Sequence, residues 1–148
     1  MKIVLASDHA GFDLKAHMVN FVSALGYEVL DLGVESSLIR SDYPDVAQGL
    51  GQAILDGQAD RGILICGSGV GASIAANKMK GIYAAICHDT YSAAQGVEHD
   101  NMNVLCLGGR IVGPALAEIL VKAFLVAKFN TETERYGRRF EKVREMEA

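Results

Sequence analysis

Five short apolar runs, each followed by a segment of helical period, restrict this 148-residue chain to a narrow set of folds. The runs are Lys2–Ser7, Tyr27–Leu32, Gly62–Cys66, Tyr83–Cys87 and Val104–Leu107. Their continuous apolar character is that of parallel strands covered on both faces. After the first run, Phe12, Leu14, Val19, Phe21, Val22 and Leu25 suit one helical face, which Gly26 closes. A loop carrying Arg40, Asp42, Tyr43 and Pro44 leads into a second helix that reaches about Asp56 and stops at Gly57. Further helices fit at about Ala72–Met79, Thr90–Val97 and Pro114–Lys128. A β-α unit repeated five times predicts an α/β fold: a three-layer α/β/α sandwich, Rossmann-like, around a five-stranded parallel sheet.

Length and composition suit one domain over residues 1–148 with a real core, since half the residues are apolar and only 22% charged. The segment from residue 129 to 148 reads as a helical extension. It is nearly all charged, and a polar helix at the end of a compact domain often rests on a neighbouring subunit. A net charge of −4 offers no footprint for nucleic acid. The run before Asp8 is too short for a signal-peptide core. Glu118, Lys122 and Lys128 interrupt the apolar stretch from Ile111 to Phe129, so it does not read as a membrane span. Three cysteines, Cys66, Cys87 and Cys106, do not resemble a disulfide framework, and a reducing, cytoplasmic setting is expected.

In an open parallel sheet, ligands bind outside the carboxyl ends of the strands. That rule gathers Ser7-Asp8-His9-Ala10-Gly11, Cys66-Gly67-Ser68-Gly69-Val70-Gly71, His88-Asp89 and Gly108-Gly109-Arg110. The second of these is the most specific. Three alternate glycines let the backbone approach a ligand and leave its N–H groups free for an anion. A cysteine just before such a turn is placed to act as thiolate and beside donors for an oxyanion. His99-Asp100-Asn101 precedes the last strand, at the opposite edge of the sheet, and reaches the cleft only around that edge or from another subunit.

Each candidate also has a plain structural reading. Asp8 can simply cap the first helix, Asp89 the fourth, and His9 can be a loop residue. Cys87 and Cys106 end apolar strands and read as packing residues, and His17 as surface or packing. The four histidines show no metal-ligand spacing and no cysteine pair is C-x-x-C, so no metal site is expected. Arg135 and Arg139 stand one turn apart on the last helix, either as a solvated charged face offset by Glu132 and Glu134 or as a grip on one phosphate. A cysteine phosphatase loop is excluded because Val70, Gly71 and Ala72 follow where an arginine is needed. Gly67-x-Gly69-x-x-Ala72 with Asp89 matches a loose dinucleotide fingerprint, but it follows the third strand rather than the first.

The ordered set resembles the type-B ribose-5-phosphate isomerases and their relatives acting on allose 6-phosphate and galactose 6-phosphate. Its marks are Ser7–Gly11, Asp42-Tyr43-Pro44, the run from Gly62 through Gly71 to Lys78, His99, Asn103-Val104-Leu105, Gly109-Arg110 and the tail arginines. The resemblance implies a cofactor-free aldose–ketose isomerase, a dimer or dimer of dimers with active sites shared between subunits. Cys66 would be the base that moves a proton between C2 and C1 through a cis-enediolate. Ser68 and the amides of Gly67, Gly69 and Gly71 would hold the enediolate oxygen. Asp8 would shuttle protons between sugar oxygens, and His99 of the partner would open the furanose ring. His9, Arg110, Arg135 and Arg139 match phosphate-binding positions, and Tyr43 matches a position that lines the sugar pocket. Where the family carries asparagine after the ring-opening histidine, this chain has Asp100, which accepts hydrogen bonds from sugar hydroxyls but cannot donate them. Ribose 5-phosphate is the expected substrate, another sugar phosphate the alternative, and a non-catalytic nucleotide- or phosphate-binding module the reading outside the class.

Overall fold

The computed structural model describes residues 1–147. Its strands are β1 (Lys2–Ser7), β2 (Glu28–Asp31), β3 (Arg61–Cys66), β4 (Ala84–Ile86) and β5 (Val104–Gly108). Its helices are α1 (Phe12–Ala24), α2 (Tyr43–Leu55), α3 (Val70–Ala76), α4 (Thr90–Asp100), α5 (Pro114–Val126) and α6 (Glu134–Glu145). The strands form one parallel sheet in the order β2-β1-β3-β5-β4. The α/β architecture expected from the alternation is therefore the observed one.

Alternation along each strand sends side chains to two separate cores. Ile3, Leu5, Ile63, Ile65, Leu105 and Leu107 meet the apolar faces of α1, α4 and α5. Val4, Ala6, Leu64, Cys66, Val104 and Cys106 meet α2 and α3 on the other face. Both faces being covered explains why the central strands read as continuous apolar runs. Edge strand β2 is only half covered, and Glu28 and Asp31 on it are exposed.

Strand order reverses between β1 and β3: the chain leaves β1 toward β2 on one side and returns to β3 on the other. The register pairs Ser7 with Ile65 and Cys66 with Gly108, so three loops leave the sheet at one level. Those loops begin at Asp8, Gly67 and Gly109. A crevice at such a switch point is where open α/β sheets bind ligands.

The tail differs from the expectation of a helix with little to bury. Tyr136 and Phe140, four residues apart, form an inward stripe on α6. Tyr136 is buried, and Phe140 meets the rings of Tyr83 and Phe129 edge-on at 4.9 and 5.6 Å. The Asn130 carboxamide oxygen accepts from the amides of Glu132 and Thr133, turning the chain into the helix, which starts at Glu134. The Asn130 amide donates to the Glu98 carbonyl at 2.9 Å, docking this turn on the end of α4. Within one chain, α6 therefore packs on α4. No helix among the described residues is long and apolar enough to cross a membrane.

Candidate active site

A cleft of about 340 Å³ opens at the switch point, lined by Asp8, Tyr43, Cys66, Gly67, Ser68, Gly71, Arg110 and Ile111. A wider groove of about 470 Å³, lined by Arg40, Ser41, Asp42 and Asp45 among others, has neither a thiol nor a glycine loop on its wall.

Cys66 ends β3 and is 5% exposed, with its sulfur at the foot of the glycine turn. The Gly69 amide donates to Cys66 Sγ at 3.2 Å, which holds the sulfur against the turn. Gly69 adopts φ 85°, the left-handed region that lets the chain turn from strand into α3. Ser68 Oγ accepts from the Val70 amide at 3.2 Å, which leaves its hydroxyl hydrogen free to donate. Among the described residues, the amides of Gly67, Ser68 and Gly71 have no protein acceptor. Gly71 is required for a packing reason: a Cβ there would lie 2.6 Å from Cζ of Tyr43, whose ring closes the side of the cleft.

Neighbouring loops are tied to this turn through backbone bonds. Gly109 and Arg110 donate to the carbonyls of Cys66 and Gly67 at 2.8 and 3.0 Å, which sets the Arg110 guanidinium beside Gly67. His88, one of the strand-end candidates, accepts from the Gly108 amide at 3.1 Å and braces the same turn. Asp8 is 7% exposed and its Oδ1 accepts from the Gly11 amide at 3.1 Å, so it does cap the 3₁₀ turn His9–Gly11. It also lines the cleft, so the cap and a place in the cleft hold together. His9 Nδ1 accepts from the Ser41 amide at 3.2 Å, and the His9 amide donates to Ser41 Oγ at 3.1 Å. That pairing places the imidazole proton of neutral His9 on Nε2, as a donor. Ser41 carried no sequence signal, because its partner lies 32 residues away.

The other two cysteines are packing residues. Burial, with Asp89 nearby, pushes the Cys87 thiol up to about 11, and burial pushes Cys106 up further. Iodoacetamide at about pH 8 is therefore expected to alkylate one thiol per native chain, Cys66, which lines the cleft. Peptide mapping checks this, and modification of Cys87 or Cys106 at a similar rate would contradict it. Asp89 caps α4, accepting from Ser92 at 2.7 Å, and His17 pairs with Glu118 at 2.7 Å on the surface. Among the described residues, no group of three or more His, Cys, Asp or Glu side chains is placed to hold a metal ion.

His99, Asp100, Arg135 and Arg139 are not brought to this cleft. The antiparallel return of α4 carries His99 to the opposite end of the sheet, before β5. There the imidazole stacks on Tyr136, centroids 4.0 Å apart at 17°, and Arg135 lies over the other partner of that stack. The expected site residues thus fall into two groups within one chain.

The protein-family model for Ribose/Galactose Isomerase matches residues 3–143. Ribose-5-phosphate isomerase B of Escherichia coli (strain K12) is 44% identical over 146 residues, covering 99% of this chain and 96% of that protein. D-erythrulose-4-phosphate isomerase of Pectobacterium atrosepticum is 43% identical over 129 residues, 87% of this chain and 85% of its own length. The solved structure of ribose-5-phosphate isomerase B from Clostridium thermocellum superposes with a TM-score of 0.95 at 44% identity, over 99% of this chain and 97% of that one. With its sheet order, thiol-bearing glycine turn and near full-length match, the chain belongs to the ribose/galactose isomerase family.

Proposed function

We propose that this chain is a sugar-phosphate isomerase that interconverts D-ribose 5-phosphate and D-ribulose 5-phosphate with Cys66 as the base. The observation that carries the reading is the Cys66 sulfur, held by the Gly69 amide at 3.2 Å in a cleft also lined by Ser68, Asp8 and Arg110. Removing a proton from carbon requires a base beside donors arranged for the charge that develops on oxygen. Here the thiolate takes the C2 proton of the open-chain aldose, and the C2–H electron pair forms the C1–C2 double bond of a cis-enediolate. The free amides of Gly67 and Gly71 and the Ser68 hydroxyl stabilise the oxygens; the Gly69 amide, expected among them from the sequence, is instead engaged by the Cys66 sulfur. Asp8 moves a proton between O1 and O2, and Cys66 returns a proton to C1. No metal or cofactor enters this scheme.

The substrate phosphate supplies binding energy away from the reacting carbons. His9 and Arg110 of one protomer grip it, with Arg135 and Arg139 from the partner in a homo-oligomer, a dimer or dimer of dimers. The separation of His99 and the tail arginines from the cleft within one chain supports such shared sites. Arg139→Ala is expected to raise KM for the phosphorylated sugar about tenfold or more while kcat changes less. An unchanged KM would return Arg139 to a solvated surface charge.

A second reading, isomerisation of another sugar phosphate, is favoured by Asp100 after His99 and by the relative named for D-erythrulose 4-phosphate. Values of kcat/KM for ribose 5-phosphate, allose 6-phosphate, galactose 6-phosphate and D-erythrulose 4-phosphate decide between them. The reading predicts the highest value for ribose 5-phosphate. A higher value for any other sugar moves the assignment to that sugar, and no turnover of any, with tight nucleotide binding, points to a binding module.

A further inference from the structure

Gln95 and His99 lie one turn apart on α4, and the Gln95 carboxamide meets His99 Nδ1 at 2.9 Å. The imidazole is stacked on Tyr136, the buried residue of α6, and this contact fixes the plane of the ring. Tyr136 is in turn engaged by Arg135, whose Nη2 donates to the phenol oxygen at 3.1 Å and whose guanidinium carbon lies 4.7 Å from the ring centroid. Gln95–His99–Tyr136–Arg135 is thus a continuous unit that joins two helices.

We propose that Gln95 and Tyr136 are positioning residues for His99, leaving Nε2 as the nitrogen that serves the substrate. This rests on the reading in which His99 opens the furanose form of an aldose phosphate bound in the partner's cleft. Ring opening breaks the C1–O4 bond. Its electron pair goes to O4, which takes a proton, while O1 gives up its proton and becomes the carbonyl oxygen. No net proton is gained or lost, so a group that can donate and accept at one point is sufficient. A carboxamide suits that task because it holds Nδ1 in either state without a charge of its own. Its NH₂ donates to a bare Nδ1, and its oxygen, after a turn of the amide, accepts from Nδ1–H. Tyr136 adds a link of a different kind. The arginine assigned to the phosphate and the histidine assigned to the ring oxygen lie on one aromatic ring, so the phosphate grip and the ring-opening group share one registration.

Ribulose 5-phosphate supplies the control. Its C5 oxygen carries the phosphate, so the ketose cannot close a furanose ring, and exchange of its C1 hydrogen with solvent needs enediolate chemistry but no ring opening. The experiment compares kcat/KM for ribose 5-phosphate with the rate of C1 deuterium exchange into ribulose 5-phosphate. It uses Gln95→Leu, Tyr136→Leu, Tyr136→Phe and His99→Asn. Gln95→Leu is expected to lose about five- to tenfold or more on ribose 5-phosphate while exchange stays within about twofold of wild type, and Tyr136→Leu, which also frees Arg135, is expected to lose about five- to tenfold more on ribose 5-phosphate than on exchange. Tyr136→Phe keeps the stacked ring and is expected to retain most ribose 5-phosphate turnover. If His99→Asn is selective for the cyclic substrate but Gln95→Leu and Tyr136→Leu are not, the ring-opening reading stands and the positioning role is overturned. If His99→Asn depresses both rates equally, the ring-opening reading fails and the proposal fails with it. Exchange by each variant reports that the protein is folded and its cleft intact.

Discussion

Cys66→Ala is expected to leave a folded protein that still binds sugar phosphate but turns it over about 10²–10⁴-fold more slowly. Besides Cys66, the cleft lining is Asp8, Tyr43, Ser68, Arg110, Ile111 and glycine backbone, with Asp8 its one carboxylate. Asp8 is the other ionisable acid there, and its Oδ1 is already engaged by the Gly11 amide. Binding should survive because the groups assigned to the phosphate lie on other loops and on α6. The substitution is also structurally mild. Cys66 sits at the end of a strand against Ala6, Ala72 and Cys106, so removing one sulfur atom opens only a small space at the cleft floor. Calorimetric binding of ribose 5-phosphate beside a coupled turnover assay checks both halves. Turnover within about tenfold of wild type would remove Cys66 as the base.

The largest stability effect is expected at Phe124→Ala, a loss of about 3–5 kcal/mol and a fall in Tm of roughly 10 °C. Phe124 is fully buried in the core beneath α1, α4 and α5. Its ring also lies under the Arg61 guanidinium, whose carbon is 5.5 Å from the ring centroid. Arg61 donates to the carbonyls of Phe124 and Ala127 at 2.7 and 2.8 Å, satisfying the end of α5 from the start of β3. Truncation therefore removes a large apolar volume and loosens the guanidinium that closes the helix. Chemical denaturation measures the loss, and a change below about 1 kcal/mol would contradict rigid packing at this point.

The layered sheet was legible in the sequence because β1, β3 and β5 are covered on both faces and could only be written as unbroken apolar runs. Strand order was not, since nothing local distinguishes the crossover from β2 to β3 from a shorter one. The cleft residues Asp8, Cys66, Gly67, Ser68 and Arg110 could be assembled from the rule that ligands sit at the carboxyl ends of parallel strands. The glycines were legible as a turn but not for their separate reasons. Gly69 is set by its backbone angle and Gly71 by the ring of Tyr43, which arrives from a helix 28 residues earlier. The packing of α6 was obscured by charge, although Tyr136 and Phe140 recur at helical spacing and would have signalled an inward face. The clamp on His99 joins Gln95 to Tyr136 across 41 positions, and such pairings have no local signature.

The most direct test of the account is to incubate the protein with ribose 5-phosphate in D₂O, with no added metal or nucleotide, and follow the sugars by NMR. Proton transfer through an enediolate predicts interconversion with ribulose 5-phosphate, together with deuterium entering one C1 position of the ketose and C2 of the aldose. Interconversion over many turnovers with no deuterium in either sugar would mean a direct hydrogen shift between C2 and C1, and would contradict Cys66 as a base.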